Sequence, residues 1–150
     1  MSEGNKAANY CDFQLILPFV RENRRDRWKE LSLKPKGRKK LLTTLWNGDD
    51  FDRSLMTKID PAERTASTVL VKLRKLGAPI RCHLISARPT LDAKDLDLIS
   101  ALDLVFNSAP GTIISCVPGT LAYYENDERN GNFIIYLPHH QDGWPAILSR

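Results

Sequence analysis

Between Gly111 and Leu137 the chain carries three apolar runs, TIISCV, TLAYYE and NFIIYL, broken by Pro118-Gly119 and by Asn130-Gly131, and no other feature narrows the choice of folds as far. β-Branched and aromatic residues separated by such pairs read as strands joined by hairpins, which pair antiparallel. Asn-Gly suits the mirror-image turns of tight hairpins. Pro-Gly prefers a type II turn whose twist fits a hairpin poorly, so a bulge or a longer loop is expected at 118–119.

The residues ahead of these runs supply what such a sheet needs to cover it. Thr65 or Ser67 can cap a helix in which Val69, Leu70, Leu73 and Leu76 face inward and Lys72, Arg74 and Lys75 face outward, with Gly77 as terminator. IRCHLIS over 80–86 alternates as a strand, with Ile80, Cys82, Leu84 and Ser86 on one face and Arg81, His83 and Ile85 on the other. After the loop ARPTLD, Leu98, Ile99, Leu102, Val105 and Phe106 form the stripe of a second amphipathic helix. Leu96 and Leu104 fall off that stripe, which predicts cover on more than one side. RSLMTKI, after the turn GDDFD, alternates enough for a short edge strand.

The first third reads as short helices. Asp12 can cap a turn through FQLIL, giving a helix over 13–17 that Pro18 interrupts. A second run opens at Pro18, with Val20, Arg24, Trp28 and Leu31 at helical spacing, and a third opens at Pro35, with Leu41, Leu42, Leu45 and Trp46 on one face before Asn47-Gly48. The expectation is an α+β fold: a mainly antiparallel sheet of four to five strands, two amphipathic helices packed on it, and a short helical N-terminal region. Residues 1–9 hold no large apolar side chain and read as a loose tail. Residues 10–150 form a single domain, divided into a basic helical region over 10–48 and the sheet with its packing helices over 49–150.

Hydrophobic residues at 42% and charged residues at 27% of 150 residues are enough for one ordered core and argue against disorder. The sequence shows neither a bilayer-length apolar run nor a secretory leader, so a cytoplasmic protein without a membrane partner is expected. Cys11, Cys82 and Cys116 are read as reduced thiols.

The charge is unevenly spread. Residues 21–40 contain ten basic and three acidic side chains, whereas from Cys82 onward four basic face eight acidic ones. Arg24, Arg25, Arg38, Lys39 and Lys40, with Trp28 among them, are therefore the candidate partner-binding residues. Cations there could neutralise an acidic protein or nucleic-acid phosphates, and the tryptophan could stack on a base.

No catalytic motif is complete. The eight glycines fit no phosphate-binding loop, and neither Ser86 nor Ser115 has the flanking glycines of a nucleophile elbow. Counting from Asp50, a calcium loop fails at Leu55 and at Pro61. Cys11, Cys82, His83, Cys116, His139 and His140 lack the paired spacing of a zinc site, so no metal and no cofactor is expected. Ser86, Arg88 and Thr90, between the end of a strand and the start of a helix, form a candidate anion-binding loop. The expected function is a small non-catalytic binding or regulatory protein that recognises an anionic or acidic partner through residues 21–40. The alternatives are a small enzyme with its site at the loop after 80–86, and a homodimer joined through a sheet edge.

Overall fold

The computed structural model describes residues 12–138. The expected tail, Cys11, His139 and His140 lie outside the described residues. Those described form four α-helices, α1 (Glu22–Ser32), α2 (Gly37–Thr44), α3 (Ala66–Lys75) and α4 (Leu98–Val105), and six strands, β1 (Met56–Lys58), β2 (Arg81–Ser86), β3 (Asp95–Asp97), β4 (Thr112–Val117), β5 (Leu121–Glu125) and β6 (Asn132–Tyr136). The strands make one sheet in the order β1-β6-β5-β4-β2-β3, with every neighbouring pair antiparallel. The α+β class stands, and the strand count rises to six.

The additional strand is β3. Its Asp95-Leu96-Asp97 pairs with Cys82 and its neighbours on β2, so the chain after the loop ARPTLD, expected to lead straight into a helix, turns back to extend the sheet before α4 begins. Three residues with charged ends carry no strand periodicity, and only the partner strand makes them one. Leu96 leaves the helical stripe because it belongs to this strand and packs on the core from there. Leu104 and Ile99 are exposed, so α4 is covered on one side only, against expectation.

Alternation within each central strand sends side chains to two separate cores. Leu84, Ile114, Leu121, Tyr123 and Ile134 meet Val69, Leu73, Leu98, Leu102 and Val105 of α3 and α4. Ile85, Ile113, Ala122, Tyr124, Phe133 and Ile135 meet Phe13, Phe19, Trp28, Leu41 and Leu45 of the N-terminal region. The sheet is thus a middle layer between two helical ones, and β4, β5 and β6 read as nearly unbroken apolar runs because both faces are buried.

Local chemistry sets the boundaries. The Thr65 hydroxyl accepts from the Thr68 N–H at 3.1 Å and caps α3. The pairing of β4 with β5 shifts register between Ser115 and Val117, the irregularity expected beside Pro118-Gly119. The β5–β6 connection is a longer loop, closed by Asn126 N–H donating to the Gly131 carbonyl at 3.0 Å.

The N-terminal helices start later than their prolines suggest. Asp12–Leu15 and Leu17–Phe19 are 3-10 turns. Val20 then bridges to Phe51, flanked by Arg21 N–H donating to Asp50 O and Asp52 N–H donating to Phe19 O, both at 2.8 Å. That extended pairing holds residues 19–21 out of a helix until Glu22. Likewise α2 begins at Gly37 instead of Pro35, and there glycine is required: a Cβ would sit 1.6 Å from the Leu31 carbonyl oxygen. The close approach lets α2 fold back on α1 as a tight hairpin. Among the described residues, no helix is long and apolar enough to cross a membrane.

Candidate partner-binding surface

The α1–α2 hairpin divides its cations into two sets. Arg24 donates to Asp50 Oδ1 at 3.1 Å, and the Trp28 indole N–H donates to Asp50 Oδ2 at 2.9 Å. Trp28 is 1% exposed and packs edge-on to Phe13, so its ring belongs to the core and presents no face to a base. Arg25 is turned inward to the Val20 carbonyl at 2.9 Å.

Arg38 is the hub of the inward set. It grips Asp12 through both terminal nitrogens at 2.8 and 3.2 Å, and Asp92 through Nε and Nη2, each at 2.9 Å. Its guanidinium also lies 4.9 Å above the Phe13 ring. Asp12 carries a second partner, His83, whose Nε2 lies 2.7 Å from Oδ2, while His83 Nδ1 lies 2.8 Å from Asp95 Oδ1. Ionised carboxylates only accept, so a carboxylate at each ring nitrogen favours the doubly protonated imidazolium. The bond to Asp12 raises the His83 pKa above its ordinary value against the opposing pull of burial, and Asp95 adds to the rise. Burial pushes Asp12 upward, but the bonds from His83 and Arg38 outweigh it and hold the carboxyl below its usual range. Asp12, Arg38, Asp92, His83 and Asp95 together bind the first 3-10 turn and α2 to β2 and β3.

Asp92 also accounts for the loop after β2. Its Oδ1 accepts from the Ser86 N–H at 3.0 Å, taking the place an exogenous anion would need. The Ser86 hydroxyl is buried, 2.6 Å from Thr112 Oγ1, and accepts from the Arg88 N–H at 2.9 Å. Arg88 and Thr90 are exposed, whereas Ser86 keeps no group free for a ligand. Among the described residues, no cluster of three or more His, Cys, Asp and Glu is placed to hold a metal ion. Cys82 and Cys116 are buried free thiols, and burial raises Cys82 to about 11. Cys82 packs in the α3/α4 core while His83 faces Asp12, the opposite-face arrangement that alternation predicts.

The outward set consists of Arg21, Arg27, Lys29, Lys36, Lys39 and Lys40, all exposed and without an ion pair among the described residues. Lys34 is exposed too, and pairs with Glu30 at 3.3 Å. Beside them Leu33, at the tip of the hairpin, is 82% exposed. It borders a cleft of about 200 Å³ whose other apolar walls are Phe13, Leu17 and Trp28 and whose rim includes Lys29. The cleft is absent from any sequence pattern, because Phe13 and Leu33 meet only once α1 lies against the first 3-10 turn. Of the five cations singled out and the tryptophan among them, Lys39 and Lys40 face solvent freely, Arg24, Arg25 and Arg38 are held by internal acceptors, and Trp28 is core.

Compared with protein-family models, with curated proteins and with solved structures, the chain finds no match.

Proposed function

We propose that this chain is a small binding or regulatory module without catalysis, which takes an acidic protein segment on the α1–α2 hairpin. The observation that carries this reading is the coincidence, on one hairpin, of six cations without carboxylate partners and a small apolar cleft bordered by an exposed leucine. The cations supply long-range attraction, and the cleft supplies the desolvated anchor point that fixes register. An acidic polypeptide with an apolar side chain answers both features. A nucleic acid answers only the first, since the buried Trp28 leaves no aromatic platform for a base.

The test is fluorescence anisotropy with a labelled peptide of alternating Glu and Leu residues, beside labelled single-stranded DNA and RNA of equal charge, at about 50 and about 200 mM salt. Lys39→Ala with Lys40→Ala should weaken the peptide by about tenfold and leave the melting temperature within about 2 °C, because exposed cations contribute little to folding. Leu33→Ser should weaken the peptide further and leave any nucleic-acid signal unchanged. Equal affinity for peptide and nucleic acid, or peptide binding indifferent to all three substitutions, would sink the proposal.

A further inference from the structure

On the face of the sheet that carries α3 and α4, six strands lie beneath two helices. A helix about 10 Å across covers roughly two strands at a spacing of about 4.8 Å. α3 lies over β5 and α4 over β2, β3 and β4, so β6 and β1 keep an open flank beside α3. The opening is a groove of about 520 Å³. Its floor is Thr57, Ile134 and Tyr136, on one side of β1 and β6, and its wall is Lys72, Lys75 and Leu76 at the end of α3.

The chain closes one end of this groove. β1 runs along one side, Ile59, Asp60 and the 3-10 turn Pro61–Glu63 make the bend, and α3 returns along the other side to Leu76. Ile59 is 4% exposed and donates its N–H to the Asn132 carbonyl at 2.9 Å, which sets the closed end level with Asn132 of β6. Tyr136 lies about 13 Å further along that strand, at roughly 3.3 Å per residue, and with the half-exposed Leu76 it marks the mouth. The lining holds three lysines, Lys58, Lys72 and Lys75, against two acids, Asp60 and Glu63, an excess of one positive charge. Both acids are engaged: Glu63 pairs with Lys72 at 3.1 Å, and Asp60 accepts from the Ala62 N–H at 3.4 Å. Lys75, next to Leu76 at the mouth, is exposed and without an ion pair among the described residues.

We infer that this groove binds a medium-chain carboxylate tail first, with the hydrocarbon over Ile59, Ile134 and Leu76 and the carboxylate at the mouth on Lys75. The volume is that of a small-molecule site, and the apolar floor takes hydrocarbon out of water. A groove closed at one end admits the end of a chain and excludes a partner helix laid through it. The last turn of α3 carries Lys72, Arg74 and Lys75, which outweigh the partial negative charge of a helix C-terminus and favour an anion there. An alkylammonium of equal length buries the same hydrocarbon but meets Lys75 with like charge.

Methyl-detected nuclear magnetic resonance of the full chain tests this with octanoate, octylammonium and the peptide of alternating Glu and Leu residues, each below its micelle concentration and at matched ionic strength. Octanoate should shift the methyls of Ile59, Ile134 and Leu76 saturably, with a Kd of about 1 mM. Nuclear Overhauser effects from its terminal methyl to Ile59 or Ile134 should locate the tail. Octylammonium should bind about fivefold more weakly. Lys75→Glu should weaken octanoate about tenfold and leave the melting temperature within about 2 °C, because the side chain is exposed. Lys39→Ala with Lys40→Ala should leave octanoate binding unchanged, so failure here and failure of the hairpin reading are separate results. Shifts without saturation, contacts outside the groove, equal affinity for octylammonium, undiminished affinity in Lys75→Glu, or saturation of these methyls by the peptide alone would each overturn the assignment.

Discussion

The two helical layers that sandwich the sheet are held to it by different physics. On one face, α3 and α4 press Val69, Leu73, Leu98, Leu102 and Val105 onto Leu84, Ile114 and Tyr123, an apolar contact with the buried Glu125 at its margin, bonded to the Tyr123 hydroxyl. On the other, short 3-10 turns and two short helices bring Phe13, Phe19, Trp28 and Leu41 to Ile85, Tyr124 and Phe133, and ionic groups complete the join: Asp50 to Arg24 and Trp28, and Arg38 to Asp12 and Asp92. A layer fixed by apolar area tolerates polar variation on its outside. A layer fixed by paired ions depends on single atoms, and it is the one that displays the free cations of the hairpin.

If that contrast is right, truncation on the apolar face costs more than removal of an ion on the other. Leu73 is fully buried between α3 and the sheet, so Leu73→Ala should remove about 3 kcal/mol in urea denaturation, through lost transfer energy and the cavity left behind. A loss below about 1 kcal/mol would mean that this layer collapses around the gap and is less closely packed than its burial implies.

Removing Asp12 probes the opposite face. The carboxylate is 3% exposed and serves both Arg38 and His83, so Asp12→Ala leaves two cations short of an acceptor and should cost about 2 kcal/mol. Solvent can reach Arg38, whose side chain is 34% exposed, and this keeps the figure below that for a sealed pair. A double-mutant cycle of Asp12→Ala with Arg38→Ala sharpens the comparison: a coupling of about 1 kcal/mol marks a working pair, and additivity would show that the layer is held by packing alone.

The same contrast governs what could be read from sequence. The cap at Thr65, the stripe Val69-Leu73, the alternation through β2 and the apolar runs of β5 and β6 are local signals, and each element appears where it is expected. β3 depends on pairing with Cys82 across the sheet, and the late start of α1 depends on the Val20–Phe51 bridge; neither leaves a mark in its own few residues. Arg38 looked like a free surface cation because its acids stand 26 and 54 residues away. Ser86, Arg88 and Thr90 are legible as a loop that could collect an anion, but not that the carboxylate of Asp92 takes that place on the Ser86 N–H. Glu125 and Asn132 face each other across β5 and β6, and the donors that hold the Glu125 carboxylate emerge only when the positions of Asn107 and Ala109 are known.

The smallest expected effect is a dependence on pH confined to the ion-bound face. His83 gains its partners on folding, so its pKa lies above the unfolded value of about 6.5. The native state then binds the proton more tightly than the unfolded chain. The stabilisation is complete below that unfolded value and is lost as pH rises through the native one. Asp12 works in the other direction: its native pKa is depressed, so its contribution is present above about 3.9 and disappears as pH falls through the native value. Both bonds are therefore at full strength only in the mildly acidic interval between these limits. The free energy of unfolding measured from about pH 6 to about pH 9 should fall in the unsubstituted chain, and His83→Gln should flatten that slope while Leu73→Ala leaves it intact. A slope that survives in His83→Gln would place the titrating group elsewhere, and one that vanishes in Leu73→Ala would show the two layers to be energetically inseparable.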